Sequence, residues 1–191
     1  MTKLESMKAS AAASVVLGTV LLLACHTVVA SSDGQDMAKI AAADQADRTS
    51  GPNKIDWDVV GKRDAARCAE VMQLLGSGQM RTAEDFSNAA LVFQHGDSVQ
   101  DTQLALALAT VASRMDPSNQ AARQLVADAW DRIMVRSGKP QWYGTQFVRS
   151  KTTGKWELYP TDPNVVSDAQ RSAMGIPTLE EDKAHLAEIN K

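Results

Sequence analysis

Five short polar sequences in this 191-residue chain carry residue types that could do chemistry. They are Asp44-Gln45 with Arg48, Arg63-Asp64 with Arg67, Gln94-His95-Gly96, Asp131-Arg132, and Gln141-x-Tyr143-Gly144-Thr145-Gln146. His95 is the natural general base or ligand among them, because imidazole exchanges a proton near neutral pH. Set in one polar pocket with Asp131, Tyr143 or Gln146, it would make a small cofactor-free, hydrolase-like site with His95, Asp131 and Tyr143 as its catalytic residues. The simpler reading of His95 is structural: at a helix C-terminus it bonds the last carbonyls and is favoured there by the helix dipole. Asp131-Arg132 sits inside an otherwise apolar helical pattern. It is either a solvated face or a buried ion pair that anchors the hairpin after it. In the 141–146 run, Gly144 frees the backbone for an unusual turn, Tyr143 supplies a ring with a hydroxyl, and Thr145 and Gln146 add donors and acceptors. That run is either the hydrogen-bonded approach to a strand or a polar recognition surface, and the two readings are compatible.

Other chemistries are not spelled out. The three histidines are His26, His95 and His185, and no His-x-x-x-His or Cys-x-x-Cys spacing occurs, so no metal set and no cofactor is expected. Gly-x-Ser-x-Gly, Gly-x-Gly-x-x-Gly and Walker-type loops are missing as well. A net charge of −3 gives no electrostatic case for holding a nucleic-acid backbone. Cys68 lies within a helical apolar pattern and reads as a buried small hydrophobe rather than a nucleophile.

The elements that must position these residues are mostly helices. Met37, Ile40, Ala41 and Asp44 have helical spacing, ended by Gly51-Pro52-Asn53. A second helix runs from about Asp58 to Leu75. Thr82-x-x-Asp85 and Ser98-x-x-Asp101 then cap helices over 82–95 and 98–115. Asp116-Pro117-Ser118-Asn119 breaks the chain before a helix over 119–136, whose apolar face is broad enough to be central. The rhythm of these helices is weakly tetratricopeptide-like, with one and a half units and without the full consensus. A β-hairpin follows at about 143–159, turning at Lys151-Thr-Thr-Gly154. Asp162-Pro163 starts a helix that Gly175 ends, and Thr178-x-x-Glu181 caps the last one through Ile189. The fold expected is mainly α: an antiparallel helical array with one late hairpin, forming a single domain over 37–191. Of nine aromatic residues, Trp142, Tyr143, Phe147, Trp156 and Tyr159 fall in this hairpin region, so aromatic mass is concentrated at the one β-element.

Ahead of that domain, Ala11–Ala24 is an uninterrupted apolar run behind Lys3 and Lys8. Its 14 residues reach about 21 Å as a helix, short of a hydrocarbon core of about 30 Å. Residues 1–30 therefore read as a signal peptide, followed by a flexible tether over 31–36. Cleavage falls either after Ala30 or before Cys25, where Leu22-Leu23-Ala24-Cys25 resembles a lipobox and Cys25 would be lipidated. Either exit makes the protein exported, to the periplasm or as a membrane-anchored lipoprotein.

Phe93-Gln94-His95-Gly96, Asp131-Arg132 and Gln141-x-Tyr143-Gly144-Thr145-Gln146 also resemble a mainly bacterial family known only as a domain of unknown function. Asp44-Gln45 with Arg48 matches its start. Asp162-Pro163-Asn164-Val165, Arg171 and Gly175-Ile176-Pro177-x-Leu179 follow its later pattern. The resemblance spans roughly residues 37–185 and implies a shared fold and a shared polar site, with no activity attached.

Together these features favour a protein-binding domain over an enzyme, since metal and nucleophile motifs are lacking. The expected partner is another protein of the cell envelope, with the domain acting as an inhibitor or immunity-type factor by analogy. No nucleic acid is expected, and no membrane except through Cys25. The residues expected to bind are Gln94, His95, Arg132, Gln141, Trp142, Tyr143, Thr145, Gln146 and Trp156, with the tryptophans as anchors.

Overall fold

A computed structural model describes residues 32–50 and 54–191. The signal peptide, Cys25 and the Gly51-Pro52-Asn53 stop lie outside the described residues. Seven helices and one hairpin make up the described chain: α1 (Ser32–Ala46), α2 (Trp57–Gly76), α3 (Ala83–Gln94), α4 (Val99–Met115), α5 (Gln120–Arg136), β1 (Phe147–Arg149), β2 (Trp156–Leu158), α6 (Asp168–Ala173) and α7 (Leu179–Ile189). The mainly helical architecture with a late antiparallel hairpin is as the sequence predicts.

The helix starts follow local chemistry. Thr82, Ser98 and Thr178 each accept from the backbone N–H three residues on, and Asp85, Asp101 and Glu181 reach back to the cap N–H. Each box satisfies donors that a helix start leaves open. Asn119 caps α5 through Ala122 N–H, and Asp56 caps α2 through Val59 N–H. Three boundaries differ from expectation. Helix α1 already runs from Ser32, through the segment expected as a tether. Its buried Met37, Ile40, Ala41 and Asp44 share one packed face, which holds the helix against the bundle. Asp162-Pro163 does not open a helix: Asp162 Oδ1 accepts Asn164 N–H in a local turn, and α6 starts only after Ser167, boxed with Gln170. The hairpin strands are also only three residues each, because the polar run before Phe147 is held as a turn by side chains described below.

The core is aliphatic. Met37, Ile40, Val71, Ala89, Ala90, Phe93, Ala105, Leu108, Ala109, Leu125 and Ala129 form one buried cluster that also takes in Cys68. Its hub is α3, rather than the 119–136 helix expected to be central. Seven of the twelve α3 residues are buried, and the helix packs against α1, α2, α4 and α5. The alanines of α3, α4 and α5 let these helices approach closely. Burial pushes the Cys68 thiol up to about 12, with nearby carboxylates adding to the shift, so it stays protonated and packs as a small apolar group.

The hairpin pairs Phe147 with Leu158, Val148 with Glu157 and Arg149 with Trp156. A hairpin this short is marginal alone and needs outside support. Asn190, at the end of α7, gives it: Asn190 Oδ1 accepts Trp156 N–H at 2.8 Å, and its Nδ2 donates to Trp156 O at 2.7 Å. No helix among the described residues is long and apolar enough to cross a membrane.

Candidate functional site

The densest polar run, 141–146, is built as a clamped turn. Gln141 is fully buried, and both ends of its amide are used: Oε1 accepts Gln146 N–H, and Nε2 donates to Gln146 O and Tyr159 O. Asp131, also fully buried, projects from α5 into the same turn. Its Oδ1 accepts the N–H groups of Trp142 and Tyr143 at 2.8 and 3.0 Å. Its Oδ2 accepts Thr145 N–H at 3.0 Å and the Thr145 hydroxyl at 3.1 Å. Arg171 of α6, 2% exposed, takes the acceptors of that turn, donating to Tyr143 O and Trp142 O and pairing with Asp168. Donors thus go to a carboxylate and acceptors to a guanidinium, and a buried irregular turn has its polar groups answered. Gly144 adopts φ +88° within it, a conformation that side chains disfavour.

Neither reading of Asp131, a solvated face or an ion pair anchoring the hairpin, describes it: the carboxylate is buried and bonds backbone N–H groups of the turn. The expected trio of His95, Asp131 and Tyr143 is not assembled either. Both Asp131 oxygens are consumed in the turn, and no hydrogen bond joins His95 to Asp131, Tyr143 or Thr145 among the described residues. Burial, followed by the charge of Asp131, raises the Tyr143 hydroxyl above its ordinary range, so it remains a neutral phenol. Trp142 packs on Trp130, with ring centroids 4.6 Å apart and a tilt of 54°, and Trp156 is held by Asn190. Both residues thereby carry structural contacts, Trp142 through its ring and Trp156 through its backbone N–H and C=O.

His95 belongs to a different constellation. It caps α3, and its Nδ1 lies 2.8 Å from Asp44 Oδ2. Asp44 is fully buried and also receives Gln45 and Arg48. Burial alone would push Asp44 up, but the hydrogen bond and charge of His95, with Arg48 and Gln45, outweigh it and hold the carboxyl below the usual range. Asp44 is then an acceptor, His95 Nδ1–H donates to it, and Nε2 has no hydrogen-bond partner among the described residues. Arg48 continues to Asp64 Oδ2 at 2.6 Å, Arg67 joins Asp64 to Asp47, and Arg63 reaches Asp47 at 2.7 Å. Three aspartates and three arginines of α1, its end and α2 thus neutralise one another and tie these elements to the end of α3.

Beside this balanced network lies a groove of about 530 Å³, bordered by Arg48, Trp57, Asp64, His95, Asp97, Arg132 and Arg136, with Ile55 and Gly61. Arg132 donates from Nε to Gln146 Oε1 and from Nη1 to Gln94 O. Arg136 bonds Gly96 O, Ser98 O and the Thr102 hydroxyl. All of these partners are neutral, so neither guanidinium has an ion-pair partner among the described residues. Burial and the nearby charges of Arg136 and Arg48 draw the Arg132 pKa down, against a smaller opposing pull from Asp128. The groove wall therefore sets Arg132 and Arg136, beside the paired Arg48, against the carboxylates of Asp64 and Asp97. At its rim Trp57, 53% exposed, presents an indole to solvent.

Of the residues expected to bind, His95 and Arg132 share this groove, with Gln94 and Gln146 holding Arg132 from behind. Gln141, Trp142, Tyr143 and Thr145 belong to the clamped turn, and Trp156 to the hairpin. Trp57 and Arg136 are not among the expected site residues. Arg136 is legible as the next turn of the face that carries Arg132, four residues on. Trp57 carries no local signal, since only tertiary packing shows that its ring stays in solvent. Among the described residues no set of three or more His, Cys, Asp or Glu side chains is placed to hold a metal. No family model, curated protein or solved structure matches the chain.

Proposed function

We propose that this domain is a protein-binding module that seats an acidic segment of its partner in the groove between α2, the end of α3 and α5. The observation that carries this reading is the pair Arg132 and Arg136, guanidiniums without carboxylate partners among the described residues, facing a concavity whose rim exposes Trp57. Arginine and tryptophan are the side chains most often responsible for binding energy at protein interfaces. A partly desolvated guanidinium bonds a carboxylate more strongly than an exposed one does. Asp97 and Asp64 on the same wall disfavour an indiscriminate anion site and favour a ligand with shape as well as charge. The domain would act in the cell envelope, as the leader suggests, blocking or holding another exported protein.

The test uses a photo-crosslinking side chain at exposed position 58, beside Trp57, to trap the partner from envelope extracts. The partner is then purified and titrated against wild type, Trp57→Ala and Arg132→Gln. Each variant should weaken binding at least tenfold, a loss of about 1.4 kcal/mol or more. Wild-type binding should also weaken with salt. Equal affinity for wild type and both variants, with circular dichroism unchanged, would overturn the reading.

A further inference from the structure

A second concavity shares none of its lining with the groove. It encloses about 790 Å³ and is bordered by Gln120, Gln124 and Asp128 of α5, Gly144 and Thr145 of the clamped turn, and Asp182 and His185 of α7, with Phe147 and Ile176 as apolar wall. Asp182 is 5% exposed, and its Oδ2 has no hydrogen-bond partner among the described residues. An unanswered buried carboxylate oxygen is costly and marks a place where a donor is missing. Asp182 lines the cavity, and the turn closes tightly over that oxygen. Gly144 lies opposite, and a Cβ there would come within 3.3 Å of Asp182 Oδ2 and 3.0 Å of Leu179 Cδ2.

We infer that this cavity binds a primary ammonium group, whose N–H donors answer the Asp182 carboxyl while Asp128 supplies a second negative charge and Phe147 and Ile176 cover the attached carbon chain. The choice of a cation follows from the lining. Its ionisable side chains are Asp128, Asp182, Glu181 and His185, three of the four acidic, while Gln120, Gln124, Thr145 and Ser172 supply neutral polar contacts. An ammonium presents three donors and no acceptor, which matches an ionised carboxylate, which can only accept. Both carboxyls are also poised to respond to such a ligand. Burial raises Asp128 to about 6, with Arg132 opposing and Asp131 adding to the shift. Burial raises Asp182 to about 6, opposed by Arg171 of α6 and His185 of α7, with Glu181 adding to it. A bound cation favours their ionised forms, so uptake releases protons and strengthens as pH rises through this range.

The experiment is calorimetric titration of the folded chain with cadaverine, as a free amine, and with N-acetyl-lysine methylamide, as a lysine side chain. The neutral isostere 1,5-pentanediol serves as control. At least one amine should bind once per chain, the diol should not, and affinity should fall about tenfold between pH 7.5 and pH 5, as carboxyls near 6 protonate. Asp182→Asn should abolish binding, and Asp128→Asn should weaken it and flatten the pH profile. The wild-type pH profile keeps the test valid if either variant fails to fold. Absence of saturable amine binding, equal binding of the diol, or undiminished binding by folded Asp182→Asn would overturn the inference.

Discussion

Two buried ions do most of the positioning at residue scale, and they are not paired with each other. Asp131 takes the N–H groups of Trp142, Tyr143 and Thr145, and Arg171 takes the carbonyls of Trp142 and Tyr143. Asp131 is answered by the N–H dipoles of the turn and Arg171 by its carbonyls together with Asp168, and the turn is fixed by both ions. Removing the carboxylate leaves several buried donors unanswered, each costing about 1–3 kcal/mol. Asp131→Ala should therefore destabilise the fold by about 3–5 kcal/mol in urea unfolding, near the cost of breaking a buried charged network. The amides of residues 142, 143 and 145 should lose their protection from hydrogen exchange first. Asp131→Asn keeps one acceptor oxygen but turns an amide N–H toward backbone donors, so it should fall between Ala and wild type. Unchanged protection at these amides in Asp131→Ala would contradict the anchoring role. The role of Asp131 as an anchor was half legible in the sequence: an Asp-Arg pair inside an otherwise apolar helical pattern must find partners. That those partners are backbone N–H groups depends on a turn eleven or more residues away.

At the scale of elements, α5 serves three places at once. Asp128, Arg132 and Arg136 recur every four residues along one stripe, and Asp131 stands one residue off it, so a single helix contributes to the ammonium cavity, the groove and the clamped turn. The connection between α3 and α4 is equally shared. Ser98 caps α4 while its carbonyl receives Arg136, and Gly96 lies so close to Asp101 that a Cβ there would approach its side chain to 2.5 Å. Ser98→Ala should cost about 1 kcal/mol through the lost cap. Gly96→Ala should cost about 1–3 kcal/mol, because the overlap falls on a carboxylate already committed to the capping box. Thermal unfolding of the two variants checks both values, with Gly96→Ala expected to be the worse. Caps and periodicity made α3, α4, α5 and α7 legible, because those signals lie within the residues that fold. Asp162-Pro163 misleads because an Asp before Pro can cap a helix or close a local turn, and only what packs afterward decides. The groove was legible in part for the same reason: His95 and Arg132 stand out by type, whereas an exposed Trp57 beside them is a product of assembly.

For the whole molecule, the carboxyls divide into two sets with opposite responses to pH. Asp128 and Asp182 are raised to about 6 by burial from an ordinary value of 3.8. Between those values the folded chain holds more protons than the unfolded chain, so stability from these two groups is fully present below about pH 4 and is lost as pH rises through about 6. For Asp128, the rise from 3.8 to about 6 corresponds to about 3 kcal/mol at most. Asp44 and Asp85 are lowered despite their burial, Asp44 chiefly by His95 and Asp85 by the N–H groups of Arg81 and Thr82. Their contribution is present above the ordinary carboxylate value and is lost as pH falls through their folded values. The two sets together place maximum stability near pH 4–5, with a decline toward pH 7 that a domain stabilised only by paired carboxylates would not show. Urea unfolding at pH 3, 4.5, 6 and 7.5 should trace that curve. Asp128→Asn should remove much of the decline between 4.5 and 7.5, because its amide has no proton to lose. A saturating amine at pH 7.5 should recover stability in wild type but not in Asp182→Asn, since a ligand that binds only the folded chain stabilises it in proportion to occupancy. A flat profile from pH 4.5 to 7.5 in the wild type would mean that water reaches both carboxyls freely and that the cavity carries no stored electrostatic cost for a cation to relieve.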